Sequence, residues 1–485
     1  MHIQDPKLLP LVEALEQGRF EEVEQRTIQI LKKVPFHEDA LQLLCEAMIR
    51  QGYAPSALKV MRRTCLFHPQ APWIGDMEKR LENLSPEKGK REIDTFLDQR
   101  KGTTIAAAVL TRNASRTIQR CLASLQEAVD EVVVIDSGST DGTVEIAQRF
   151  PKVRVFPFTW CDDFSAARNF GLTQIQSRWV FWVDADEYLH PEDPDSVREI
   201  ASVLDTYEPT PLVHVSIWNL TGQTVTRSDH VPRMFPLRGN LRFFGRVHEQ
   251  IGPSEGNRYT DLKTHDFLVP IRLIHDGYDA QKVDMGQKLQ RNLKLLRQML
   301  QEEPGDPTWL MFLGRELLGA GEFEEGLKFL QEAEKKARNF RGFGALLEIQ
   351  RLLLQGFLTL GRFKQAEEVC TRMRETDPNF PDTYYYLAYV QMQLARDLLV
   401  RAEQNLKEGK SRFASYRGLV APDNQIAEWK TDLLTADLLR LTGRLSQAHS
   451  LYEKLMDRCP TYQQEIEEQL RRIRREAAAI QKGTP

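Results

Sequence analysis

An α/β core lying between two all-helical repeat arrays is the architecture this 485-residue sequence predicts. Three observations predict it. Short apolar runs alternate with helical stretches between residues 103 and 184, the pattern of a parallel, doubly wound sheet. Segments of matched length from Gly to Pro recur at both ends of the chain, as stacked helical hairpins do. The run "WVFWV" (179–183) leads directly into Asp184, Asp186 and Glu187, where open α/β sheets hold their ligands.

The N-terminal piece, residues 1–100, reads as helical. "GRFEEVEQRTIQILKKVP" and "GYAPSALKVMRRTCLFHP" start at Gly18 and Gly52, 34 residues apart, and in each the closing Pro stands 17 positions after the Gly. The same spacing returns in the C-terminal piece, 281–485, from Gly361 to Pro378 and from Gly443 to Pro460. A further copy from Gly321 lacks the closing Pro. Gly at the inter-helix turn, small or apolar residues along the second helix and a terminating Pro resemble the tetratricopeptide repeat. The last two copies lie 82 residues apart, which predicts a longer helical insertion holding "EQNLKEGKSRFASYRGLVAPD".

The middle piece, 101–280, carries β-type runs at 103–111, 130–138, 152–158 and 178–184, separated by helical stretches at 115–128, 141–150 and 163–176. A mixed pattern follows. A charged segment, "SPEKGKREIDTFLDQRKG", marks the first boundary near 100, and the second is placed near 280.

The charge balance, −4 overall with a pI near 6.3, carries no nucleic-acid footprint. No run of about 18 apolar residues suggests a transmembrane helix, and the polar start "MHIQDPKLLP" is unlike a signal peptide. Six scattered cysteines without a C-x-x-C pair predict reduced thiols, hence a cytoplasmic protein of bacterial type.

At the strand ends, "VLTRNAS" offers Thr111 and Asn113, and "VIDSGSTDGT" offers Asp136, small residues and Asp141. Small residues let the backbone approach a ligand, and a carboxylate accepts bonds from a base or ribose. Helix capping explains Ser139 to Asp141 as readily. The pair Asp184 and Asp186 puts two carboxylates within reach of one hard cation; a cap for the helix after "PEDPDS" is the competing reading.

In order, "TRN", "VVVIDSGSTDGT", "DDFSAARNFGL", "VFWVDADE", "RMF", "FFGRVHEQI" and "LIHDGY" resemble a family 2 glycosyltransferase of the GT-A fold over residues 103–280. That resemblance implies nucleotide-sugar contacts at Thr111, Asn113, Asp136 and Asp184, with Arg168 near the nucleotide or phosphates. It implies Asp186 as direct metal ligand, Asp184 facing ribose and metal, and His275 as a further ligand. The implied cation is Mn²⁺ or Mg²⁺, since oxygen ligands suit both. Glu249 is the expected acceptor-side base of an inverting displacement, with His248 as competitor. Arg233 either reaches the diphosphate or forms a surface ion pair. Trp160, Asp162 and Asp163 lie where the family places donor-sugar contacts, although "DDFSAAR" is also a good helix cap. Trp179 and Trp182 are expected in the core, and His214, His230 and His265 on the surface or in structural roles.

The layout as a whole resembles the sublancin S-glycosyltransferase group. It implies a transferase that uses UDP-glucose or UDP-N-acetylglucosamine and glycosylates a peptide or protein held by the repeats. Repeat arrays present concave surfaces to polypeptides, and "FPDTYYYLAY" (380–389) offers aromatic residues for a groove, at least one of them expected in the core. The repeats also suit a homodimer. The alternatives are a lipopolysaccharide-core or other glycan acceptor, and a repeat scaffold keeping a non-catalytic sugar-binding core.

Overall fold

The computed structural model describes residues 3–82, 88–98, 102–221, 224–275, 285–413, 415–417, 420, 422–459 and 462–482. Both boundaries expected from sequence, near 100 and near 280, lie outside the described residues, as does the side chain of His230. The chain divides into two compact units, one of residues 1–316 with 339–343 and one of 317–338 with 344–485.

The first unit is built on ten strands: β1 (Ile105–Thr111), β2 (Glu131–Asp136), β3 (Val153–Pro157), β4 (Trp179–Trp182), β5 (Glu187–Leu189), β6 (Thr210–Thr221), β7 (Thr224–Pro236), β8 (Leu241–Phe244), β9 (Gln250–Pro253) and β10 (Thr264–His275). Eight form one sheet in the order β3-β2-β1-β4-β7-β6-β10-β5, and β8 pairs with β9. The four strands expected to be parallel are so: β1 with β2 and β4, and β2 with β3. Their runs "AAAV", "VVVI" and "WVFW" are buried on both faces, which is why they read as continuous rather than alternating. The helices Ile118–Leu125, Thr143–Ala147 and Phe164–Gln174 connect them. From β7 onward the sheet turns mixed, with β7 antiparallel to β4 and β6, and β10 parallel to β6. The result is a GT-A-type α/β core with all-α flanks.

The strand order reverses beside β1, with β2 on one side and β4 on the other, so a crevice opens at their carboxyl ends. Register then sets the far wall. His275 pairs with Glu187 of β5 and with Asn219 of β6, which brings the last residue of β10 against the acidic turn after β4.

The N-terminal hairpins pack on this sheet. Phe36 and Phe67 meet the ring of Phe267 at centroid distances of 4.9 and 6.0 Å, and Arg63 reaches Glu199. The helices Met285–Glu302 and Pro307–Gly319 follow the sheet, and their residues up to Glu316 belong to the same unit.

The five turn glycines behave alike. Gly18, Gly52, Gly321, Gly361 and Gly443 have φ between +66° and +82°, a region that costs other residues energy. At each, the glycine N–H donates to the carbonyl three residues back, and the next N–H donates to the carbonyl five back. This pair of bonds satisfies the orphan carbonyls of the preceding helix. Within the 82-residue spacing runs the helix Pro381–Arg412, 32 residues long, which takes in only the first ten residues of "EQNLKEGKSRFASYRGLVAPD"; residues 414, 418, 419 and 421 of that stretch lie outside the described residues. Its inward stripe is Thr383 and Val390, so Tyr384, Tyr385 and Tyr389 are exposed and Tyr386 is half-buried. No tyrosine of this cluster reaches the core, because the heptad-like spacing of Thr383 and Val390 places them on the buried face instead. No helix among the described residues is long and apolar enough to cross a membrane.

Candidate active site

A cavity of about 710 Å³ lies at the carboxyl ends of the parallel strands, within the roughly 300–1,000 Å³ range of small-molecule sites. Thr111, Asn113, Arg168, Asp184, Asp186, His248 and Glu249 line it. Asp136, Arg233 and His275 are absent from its lining and hold lining residues or the adjoining loop from behind.

The first two strand ends make one hydrogen-bonded loop system. Asp136 accepts from the N–H groups of Gly138 and Ser139 at 3.2 and 3.1 Å. Asn113, at φ +52°, accepts through Oδ1 from the Thr140 N–H at 2.8 Å. Asp141 accepts from Ser115 N–H and from the backbone and hydroxyl of Thr143. Those bonds, the Thr143 hydroxyl first, hold its carboxyl down at about 2. The Thr111 hydroxyl is buried and lacks a hydrogen-bond partner among the described residues; buried polar groups normally have one.

The acidic turn does not cap the next helix, whose N-cap is Asp193. Asp184 instead accepts from Arg168 at 3.1 Å and from Arg233 at 2.8 Å. Burial by itself raises an acid, but the two guanidinium groups outweigh it and hold Asp184 well below the usual carboxylate range. Arg233 also donates to Glu187 at 2.7 Å. Arg233 is buried, so it is no surface residue, and its Nε lacks a partner among the described residues. Burial raises Glu187, and neighbouring Asp184 adds to the effect against the pull of Arg233.

Asp186 projects further into the cavity, with 47% of its side chain exposed, and lies 3.2 Å from His275 Nε2. His275 Nδ1 donates to Asn219 Oδ1 at 3.0 Å, a bond that fixes the ring and turns Nε2 toward Asp186. Among the described residues no group of three or more His, Cys, Asp or Glu side chains is drawn together to hold a metal alone. Asp186 and His275 supply one oxygen and one nitrogen donor side by side. That pair fits a divalent cation taking its other ligands from phosphate oxygens and water.

On the opposite side, Glu249 and His248 sit in a loop gripped from two directions. Gly245, at φ +96°, lies against the Trp309 ring, where a Cβ would come within 2.2 Å of it. Ser165 donates to the Gly245 carbonyl at 2.6 Å, and Phe164 N–H donates to the Arg246 carbonyl at 3.0 Å. Glu249 Oε1 accepts from Arg168 Nε at 2.8 Å. His248, at φ +55°, bonds Glu316 at 2.7 Å, lies tilted by 33° against Phe312 with centroids 4.7 Å apart, and meets Arg315.

Asp163 caps its helix by accepting from Ala166 N–H, while Asp162 accepts from Trp160 Nε1 and Lys294. Trp179 and Trp182 are buried in the core, as expected. His214 faces Asp266, and His265 stacks on Phe267. Sequence reasoning missed Arg112, Arg116, Lys288, Arg291 and Asn292, which also line the cavity. The last three sit on Met285–Glu302, beyond the expected domain boundary; the i,i+3 spacing of Lys288 and Arg291 was the available signal.

Residues 107–262 match the model of glycosyl transferase family 2. The SPbeta prophage-derived glycosyltransferase SunS of Bacillus subtilis is 34% identical over 257 residues, 52% of this chain and 59% of the relative. A TPR repeat-containing protein of Synechococcus elongatus is 27% identical over 48% of this chain and 57% of its own length. The matched stretch thus spans little more than half of each relative. Among solved structures, S. aureus TarS 1–349 in complex with UDP-GlcNAc aligns over 63% of this chain and 92% of that chain, at 15% identity and a TM-score of 0.30.

Proposed function

We propose that this chain, which carries a family 2 glycosyltransferase domain in residues 107–262, is an inverting, metal-dependent transferase that moves a sugar from a UDP-sugar to a peptide or protein. UDP-glucose and UDP-N-acetylglucosamine are the donors we favour. The observation that carries the reading is the meeting of Asp184, Asp186 and Glu249 on one cavity at the strand ends.

In this reading the loops of Thr111, Asn113 and Asp136 receive the nucleoside, and the buried Thr111 hydroxyl finds its partner there. Asp184 faces the ribose. Asp186 and His275 hold Mn²⁺ or Mg²⁺, which when bound neutralises charge on the departing diphosphate as a Lewis acid. Arg233 fixes Asp184 and Glu187 from behind rather than touching the donor. Glu249 takes the proton of the acceptor nucleophile as the anomeric carbon is attacked. Its Oε2 has no hydrogen bond among the described residues, which suits a base, whereas His248 is engaged with Glu316 and Arg315. Helical hairpins at both ends supply the type of surface that holds polypeptides.

The test is UDP release from UDP-glucose or UDP-N-acetylglucosamine with MnCl₂ or MgCl₂. Chelation and Asp186→Ala are each expected to lower it by at least about 100-fold with the fold unchanged. Undiminished turnover in that variant would refute the metal assignment, and an inert wild-type chain would favour a scaffold. Crosslinking of a bait peptide to the C-terminal repeats, with an added hexose mass on the peptide, separates a polypeptide acceptor from a glycan.

A further inference from the structure

Arg168 stands between the donor and acceptor sides of the cavity. It rises from the first half of the helix Phe164–Gln174, close behind the Asp163 cap. Nε donates to Glu249 Oε1 at 2.8 Å, and a terminal nitrogen donates to Asp184 Oδ1 at 3.1 Å. The guanidinium carbon lies 4.8 Å from the Trp182 ring centroid and 5.4 Å from that of Phe243. A planar, permanently charged fork bonded at two carboxylates and packed against two aromatic rings has little freedom to turn.

The two carboxylates depend on it unequally. Asp184 keeps Arg233 as a second partner at 2.8 Å. Glu249 lines the cavity and has no other hydrogen bond among the described residues, so its second oxygen is left unengaged there. Resting on the transferase reading above, we infer that Arg168 is the positioning residue of the base. It pins one oxygen of Glu249 so that the other is aimed at the acceptor, and it ties that aim to the aspartate on the donor side. Arg168 therefore acts through Glu249 and not as a ligand of the phosphates.

The experiment uses the full chain, UDP-glucose or UDP-N-acetylglucosamine as donor probe, and MnCl₂. Rates of UDP release and calorimetric affinity for UDP with Mn²⁺ are compared for wild type, Arg168→Ala, Glu249→Gln and the double variant. Thermal denaturation reports folding. Arg168→Ala is expected to lower kcat about 100-fold, the scale of a displaced catalytic group, with UDP affinity within about 3-fold. The double variant is expected to be no slower than Glu249→Gln, because groups acting as one unit are not additive. Should Arg168→Ala fail to fold, Arg168→Lys replaces it; a single ammonium cannot span both carboxylates, so the same split between kcat and UDP affinity is expected.

Loss of UDP affinity in step with the rate would overturn the inference and make Arg168 a phosphate ligand. So would a double variant slower than Glu249→Gln by the full effect of Arg168→Ala. Wild-type activity with an unimpaired Arg168→Ala sinks this inference alone, whereas an inert wild type sinks the transferase reading and this with it.

Discussion

Glu249 and His248 are adjacent in the chain yet meet different chemistry. The histidine lies tilted against Phe312 and is bonded to Glu316, while the glutamate lines the cavity with Oε1 held by Arg168 and no hydrogen bond at Oε2 among the described residues. Glu249→Gln should therefore leave UDP affinity near normal while lowering transfer by about 100-fold or more, the usual worth of a general base. His248→Ala should mainly lower stability; a larger rate loss than in Glu249→Gln would hand the base role to the histidine. Asp141 supports a pH prediction. Its carboxyl is depressed to about 2 by the Thr143 hydroxyl and neighbouring N–H groups. A depressed acid stabilises the native state fully above the ordinary Asp value, about 3.9, and loses that contribution as pH falls through the folded value. Hydrogen exchange at Ser115 and Thr143 should stay protected from pH 6 to about 4 and weaken below it, and Asp141→Asn should lose protection already at pH 6.

At the scale of elements, two glycines separate conformational from steric cost. Gly361, at φ +66°, has open space where a β-carbon would stand, with nothing within 4 Å. Gly361→Ala should cost about 1 kcal/mol by denaturant titration, from backbone conformation alone. Gly245 combines φ +96° with the Trp309 ring at 2.2 Å from the same position. Gly245→Ala should cost at least about 2 kcal/mol, strain plus overpacking, and displace the loop bearing Glu249. A rate as high as wild type in that variant would show that the loop tolerates movement. The repeat turns were legible from single residues because a left-handed helix end asks for Gly whatever surrounds it. The tyrosine cluster was not, since three adjacent aromatics have no single face and only the helix's neighbours decide which side is buried.

Over the whole molecule, the N-terminal hairpins are joined to the sheet through an aromatic cluster of Phe36, Phe67, Tyr207, His265 and Phe267. Phe267 belongs to β10, the strand that ends at His275. Phe267→Ala should cost about 3 kcal/mol by the removal of a buried ring. If β10 transmits the damage, affinity for UDP with Mn²⁺ should fall as well; unchanged affinity would confine the cluster to stability.

From the sequence alone came the strand-helix alternation, the five hairpin turns and the acidic exit of β4, because each is a local pattern of burial or backbone conformation. The order of the motifs also pointed to Thr111, Asn113, Arg168, Asp184, Asp186, His248 and Glu249, which line the cavity, but to none of Arg112, Arg116, Lys288, Arg291 and Asn292. Tertiary structure alone decided what those residues touch: that Arg168 and Arg233 are held by carboxylates, that His275 meets Asp186, and that Met285–Glu302 contributes Arg291 to the wall. Such pairings join residues far apart in the chain, and their geometry is set by strand register and packing, which no local pattern encodes.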